Sequence, residues 1–348
     1  LAPAAAAASV VSDAMQTAQL DAPAAGTAAP LLSVRDLTVR FVSKEATVHA
    51  VNGVSFTLDP GEVLVILGES GSGKSVSLRA LMRLLPPKKT VIGGSILIAG
   101  EDVLAMDERA LEDFRGGVVS MIFQEPMTAL DPVFTIGRQI AETIIRHEGV
   151  SRAAAEARAL ELLELVQIPS AKRRLASYPH ELSGGLRQRA MIAIALACRP
   201  KLLLADEPTT ALDATVQIQI LLLLRRLQRE LGMGVIFVTH DLGVAGEIAD
   251  RVAVMYAGRF VEEGPVGEVM RRPLHPYTQG LIGSTVHAGL RGTRLAAIPG
   301  APPNLARRPE GCAFAPRCSL ADDACRAAPP DERRPVPFHM ARCLRVDA

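Results

Sequence analysis

The chain has 348 residues, 49% hydrophobic and 22% charged, with a formal net charge of +1. It is long enough to bury a sizeable core. The absence of a global basic field, with only 3% aromatics and no Trp, gives no footing for a nucleic-acid partner, and none is expected. No apolar run approaches the roughly 20 residues of a membrane span: "AMIAIALAC" stops at Arg199 and "MGVIFVTH" at Asp241, so any membrane role must come through a partner.

Residues 1–30 are Ala/Pro/Thr-rich and hold no Lys or Arg. They read as a disordered tail without a basic secretory start. The expected compartment is therefore the reducing cytosol, which disfavours disulfides among the five cysteines. Ordered patterning begins near Leu32. "LTVRF" alternates Leu37, Val39 and Phe41, and "VSFTL" alternates Val54, Phe56 and Leu58, as half-buried strands do. "VLVIL" (63–67) is continuously apolar, the mark of a strand covered on both faces. A Gly-rich turn and a helical pattern, "VSLRALMRLL", follow it.

Three more short apolar runs come later, at 118–123, 202–205 and 235–239, with helical stretches between them over 152–166 and along "TVQIQILLLLRRLQREL". Strands alternating with helices imply an α/β fold with a parallel sheet. "VAVMYAGRFVEEG" (252–264) reads as a hairpin turning at Ala257–Gly258. After about residue 265 Pro becomes frequent and periodicity fades. This part reads as a separate extension, ordered by something other than a large core.

Gly68-Glu69-Ser70-Gly71-Ser72-Gly73-Lys74-Ser75 fits the phosphate-binding P-loop, in the required strand-to-helix context. The glycines let backbone N–H groups close round phosphate oxygens, and the helix N-terminus adds its positive dipole end. Lys74 is expected to reach the β- and γ-phosphates and Ser75 to ligate Mg²⁺; Val76 continues the loop into the helix. "KLLLADEP" ends an apolar strand in Asp206-Glu207, where ligands bind in open α/β sheets. There Asp206 would hold Mg²⁺ and Glu207 would polarise the attacking water. "ELSGGLRQRAMIAIALA" (181–197) opens a helix on a Ser-Gly-Gly turn, a second anion-binding start. "VIFVTHD" sets His240 at the end of a core strand, within reach of a γ-phosphate.

Together these residues resemble the ATP-binding-cassette (ABC) ATPases over 32 to about 265. Walker A is 68–75, the Q-loop is Gln124 in "MIFQEP", the signature is "LSGGLRQR", Walker B is 202–207, the D-loop is "TALD" with Asp213, and the switch is His240. The resemblance implies a P-loop NTPase core with an antiparallel β subdomain and a helical subdomain at about 126–182. It implies a head-to-tail ATPase dimer in which ATP on one protomer is capped by Ser183, Gly184 and Gly185 of the other. It puts Phe41 where a family aromatic stacks on adenine, and Gln124 beside Mg²⁺ and the segment that meets transmembrane subunits. Glu207 is retained, so the site is expected to turn over rather than regulate.

One P-loop and one signature make a single cassette, so the membrane-spanning subunits must be other chains. Tandem cassettes or long inserts, usual in soluble ABC ATPases of translation or DNA repair, are missing. "HPYTQGLIGS", "IPGAPPNL" and the cysteine run after them resemble the oligopeptide/dipeptide/nickel permease ATPases. "EPMTALDP" and "RQRAMIAIALACRPKLLLADEPTTALDATVQ" look like the D-type subunit. That resemblance implies an importer at the cytoplasmic face of the inner membrane. Its further parts would be a related F-type ATPase, two permease subunits and an extracytoplasmic solute-binding protein. Peptides are the expected cargo, with nickel, glutathione and oligosaccharides as alternatives. The expected division is a tail to residue 30, a cassette over 31–265 and an extension over 266–348.

Cys198 lies in an apolar helix and reads as a packed core residue. Cys312, Cys318, Cys325 and Cys343 cluster in the Pro-rich extension without a zinc-ribbon Cys-x2-Cys pair. Four thiolates suit a tetrahedral or cluster site, and the matching cysteines of peptide-permease ATPases imply a [4Fe–4S] cluster, with zinc or no metal as alternatives. His275 and His339 are candidate substitute ligands, with packed histidines as the ordinary reading.

Overall fold

The computed structural model describes residues 29–210, 212–284 and 297–346; the expected N-terminal tail lies almost wholly outside them. The strands are β1 (Leu32–Val42), β2 (Thr47–Leu58), β3 (Val63–Leu67), β4 (Thr90–Ile98), β5 (Glu101–Asp102), β6 (Val119–Ile122), β7 (Leu202–Asp206), β8 (Gly234–Thr239), β9 (Arg251–Tyr256), β10 (Arg259–Pro265), β11 (Arg333–Val336) and β12 (His339–Ala341). Two sheets result: an antiparallel one in the order β2-β1-β4-β5, and a larger one in the order β11-β12-β10-β9-β3-β8-β7-β6. Strands β9, β3, β8, β7 and β6 pair in parallel.

The continuous apolar runs are explained by what covers each face. Along a strand, successive side chains point to opposite sides. Val63, Val65 and Leu67 of β3 enter one core, lined by helices, while Leu64 and Ile66 enter another, shared with the antiparallel sheet. β7 and β8 divide likewise, Leu203, Ala205, Val235 and Phe237 on the helical side and Leu202, Leu204, Ile236 and Val238 on the other. Strands sandwiched this way, as β3, β7 and β8 are, carry apolar side chains on both faces up to their ends.

On the helical side, helix Ile136–Glu148 turns Ile136, Ile140 and Ile144 inward against Ala155, Ala159 and Leu163 of helix Arg152–Leu165. The helix after the P-loop is shorter than its pattern suggests. It spans Lys74–Leu81 and gives way to Arg83 at φ 50°. Met82 and Leu85 are nonetheless buried, so the apolar spacing reports burial beyond the helix's end.

The extension carries more regular structure than its composition suggests. It forms helices Val266–Arg271, Pro276–Gly283 and Asp323–Ala327, and β12 joins the main sheet, Glu262 opposite Ala341 and Glu263 opposite Met340. Tyr277 and Phe314 enter the helical-side core directly. Glu262, fully buried, holds the junction: it accepts N–H bonds from Leu274 (2.8 Å) and His275 (2.9 Å), and its Oε1 lies 2.8 Å from Nε2 of buried His339.

Candidate nucleotide site

The P-loop links β3 to helix Lys74–Leu81 at the carboxyl end of the parallel sheet, with Asp206 ending β7 and His240 following β8. Gly68 has φ 154°, and a Cβ there would run into the Met255 carbonyl. Gly73 has φ 109°, and a Cβ there would lie 2.5 Å from the Ala50 carbonyl oxygen. These are close approaches that only glycine permits. The β9–β10 hairpin turns at Ala257 (φ 49°) and Gly258 (φ 80°), as its sequence predicts. Its Gly258 N–H donates to Ser72 O at 2.8 Å, so the hairpin tip braces the loop.

Lys74 is only 4% exposed, and its Nζ donates to the carbonyls of Gly68 (2.7 Å) and Glu69 (2.9 Å). Burial lowers the pKa of its ammonium, against the raising influence of Glu207, Asp206 and Glu69. Ser75 Oγ donates to Asp206 Oδ1 at 2.6 Å. Asp206 is fully buried, and its Oδ2 has no hydrogen-bond partner among the described residues, with Arg79 3.9 Å away. Burial raises the Asp206 pKa; the Ser75 hydrogen bond opposes the shift. A half-satisfied buried carboxylate beside a hydroxyl is a donor set for a hard divalent cation, so Ser75 and Asp206 fit Mg²⁺.

Glu207 takes a left-handed backbone (φ 46°), uncommon for a side chain of its size. That turn directs its carboxylate into a polar cluster. Oε2 accepts from Thr210 Oγ1 (2.9 Å) and Gln124 Nε2 (3.4 Å) and lies 3.3 Å from His240 Nδ1. Walker B, Q-loop and switch residues, over 100 positions apart at their extremes, thus meet on one carboxylate oxygen. Thr210 was not anticipated; its signal is its place three residues after Glu207 in "DEPTT".

The signature residues stand elsewhere. Ser183 caps helix Gly184–Ala195, its Oγ accepting from Leu186 N, and Asp213 caps helix Ala214–Leu231, accepting from Val216 N. The two caps adjoin, because a Cβ on Gly185 would meet Val216 Cγ1 at 2.7 Å. Ser183, Gly184 and Asp213 are exposed, and among the described residues none is hydrogen-bonded to the P-loop. Phe41 is half-buried at the end of β1, opposite Val48 and Thr90 and against the antiparallel-side core.

Cys198 packs against the helical-side core, as expected. Cys312, Cys318, Cys325 and Cys343 line one small cavity together with His275 and Phe314, and all are free thiols. Burial raises the pKa of Cys312 and Cys343. Among the described residues no three Cys, His, Asp or Glu side chains converge as ligands of one metal ion. A zinc ion at 2.3 Å from each sulfur would need neighbouring sulfurs within about 3.8 Å. The four cysteines line one cavity. Neither candidate histidine is available to them as a free ring: His339 is paired with Glu262, and His275 Nδ1 accepts from Tyr277 N. Burial pushes the His275 pKa down to about 4, so the ring is neutral.

A family profile described as ABC transporter matches residues 51–210, and one described as oligopeptide/dipeptide transporter, C-terminal region, matches 261–325. A Brucella melitensis protein named as a peptide import ATP-binding protein is 53% identical over 328 residues, 91% of this chain and 97% of its own. The oligopeptide transport ATP-binding protein OppD of Bacillus subtilis is 52% identical, covering 84% and 82% of the two chains. The chain belongs to the ATP-binding subunits of the ABC oligopeptide/dipeptide transporter family. Its cassette is an ATPase of that family, and no helix among the described residues is long and apolar enough to cross a membrane. Among solved structures, the ABC transporter cassette MJ0796, a dimer bound to ADP and Pi, superimposes with a TM-score of 0.61 at 30% identity. It matches 98% of that chain but 68% of this one.

Proposed function

We propose that this chain hydrolyses ATP to drive peptide import through two transmembrane subunits that are separate chains, fed by a solute-binding protein outside the membrane. The cluster of Gln124, Thr210 and His240 on the Glu207 carboxylate carries the reading. Glu207 orients and deprotonates the attacking water, with His240 and Gln124 sensing the γ-phosphate from either side. Lys74 exchanges the carbonyls of Gly68 and Glu69 for phosphate oxygens, and the backbone of residues 68–76 cradles them. Ser75 and Asp206 would hold Mg²⁺, with Gln124 close by, and the ion would supply positive charge to offset that of the β- and γ-phosphates. Phe41 stacks on adenine.

The exposed signature turn and Asp213 belong to the opposite site of an ATPase pair, whose second member we take to be a related F-type chain. Ser183, Gly184 and Gly185 close over its nucleotide. The pair sits at the cytoplasmic face of the inner membrane, with the helical subdomain at about 126–182 meeting the permease. Residues 31–265 act as the cassette and 266–348 as its extension. In the assembled transporter, Glu207→Gln is expected to cut steady-state ATPase activity about 100-fold or more while retaining ATP binding. Activity within a few-fold of the unaltered protein would remove Glu207 from this role.

We further propose that Cys312, Cys318, Cys325 and Cys343 hold a [4Fe–4S] cluster, which takes one thiolate per iron and so asks for sulfurs spread round a body larger than an ion. Anaerobically purified protein should be brown, with visible absorption that dithionite bleaches. Colourless anaerobic protein with stoichiometric zinc would discard the cluster.

A further inference from the structure

Every polar group of the second residue of the P-loop has a partner, and the extension supplies those of its N–H and its carboxylate. The Glu69 N–H donates to the Tyr277 hydroxyl at 2.9 Å, and its carbonyl accepts from Lys74 Nζ at 2.9 Å. Its carboxylate takes both arms of Arg317: Nη1 to Oε2 at 2.7 Å and Nη2 to Oε1 at 3.0 Å. Arg317 is itself fixed. Its Nε donates to Pro299 O at 2.8 Å, Nη1 also reaches the Tyr256 hydroxyl at 3.3 Å, and the residue is only 8% exposed. Tyr256, Tyr277 and Phe314 pack ring against ring beneath it, with centroids 4.5 to 5.4 Å apart.

A planar guanidinium locked by four acceptors on one carboxylate and two neighbours is a rigid, bidentate pair, the strong kind of charge-assisted hydrogen bond. Its location gives it a consequence. Glu69 lies in the loop that must receive a polyphosphate, and an unpaired carboxylate there would repel that ligand. Lys74 bonds the Glu69 carbonyl, so movement at Glu69 also moves the lysine's anchor. Arg317 cancels the charge and Tyr277 pins the backbone.

We propose that Arg317 and Tyr277 are positioning residues for ATP. Acting through Glu69, they make the C-terminal extension part of the nucleotide site and set its affinity. This rests on the ATPase reading above, and ATP binding is measured here apart from hydrolysis so that the two can fail separately.

The test uses the assembled transporter for KM and kcat, and the full chain with a fluorescent ATP analogue for affinity. Arg317→Met should raise KM for ATP about tenfold, weaken analogue binding by the same factor, and leave kcat within about twofold. In a Glu69→Gln background the same change should cost less than about threefold, because the carboxylate it answers has gone. Tyr277→Phe should raise KM about threefold. Equal effects of Arg317→Met in both backgrounds, or an unchanged KM, would overturn the proposal. If Arg317→Met does not fold, Arg317→Lys in the two backgrounds decides by the same criterion, since a lysine keeps the charge but not the fork.

Discussion

One continuous sheet is held together by two different physical devices. At β3, β7 and β8 it is cemented on both faces by apolar side chains, and β3 is fully buried from Val63 to Leu67. At β10 and β12 the apolar packing of Phe260, Val261 and Met340 is joined by a buried carboxylate, Glu262, that gathers His339 and the N–H groups of Leu274 and His275. The first arrangement is non-directional and tolerates repacking; the second depends on each hydrogen bond being made. The extension thus adds directional polar contacts to the apolar packing that Tyr277 and Phe314 already make in the helical-side core. That specificity also suits the extension to grip a chosen P-loop residue, since an ion pair such as Arg317–Glu69 fixes direction as well as distance.

The sharpest way to separate the two devices starts in the apolar half. Phe237 of β8 is 1% exposed and lies in the helical-side core. Phe237→Ala should cost about 3–5 kcal/mol, the range for removing a buried ring and leaving a cavity. In native-state hydrogen exchange the amides of β3, β7 and β8 should lose protection together, because they open as one unit. Loss confined to β8 would mean that the sheet is less cooperative than its packing implies.

What could be read from the sequence follows the same division. The apolar runs at 63–67 and 202–205 and the hairpin at Ala257–Gly258 were legible because local composition determines them. So were the strand-to-helix setting of residues 68–75 and the strand end at Asp206. The helix after the P-loop was over-extended because Met82 and Leu85 are buried without being helical. The partnership of Glu69 with Arg317 had no sequence signal at all. The residues are 248 positions apart, neither belongs to a periodic pattern, and an Arg in a Pro-rich stretch ordinarily faces solvent. The regular structure in the extension was missed for a related reason: β12 has three residues, too few for any periodicity to register.

The polar half of the comparison is tested by a smaller change at Glu262. A Gln there keeps the shape but replaces an acceptor oxygen with an NH₂ group. Both Leu274 and His275 present backbone N–H donors to that side chain, and His339 is the third partner. Whichever way the amide turns, one donor must face another in a buried site. Glu262→Gln should therefore cost about 1–3 kcal/mol, the penalty of one buried group left unsatisfied. Exchange should rise roughly tenfold or more at Leu274, His275 and residues 339–341, with β3 and β7 unchanged. If β3 and β7 loosen as well, the extension supports the cassette rather than merely docking on it, and the P-loop's hold by Arg317 would be one strand of a wider mechanical connection. If only the extension loosens and KM for ATP rises with it, the two devices are independent in stability yet joined in function through Glu69.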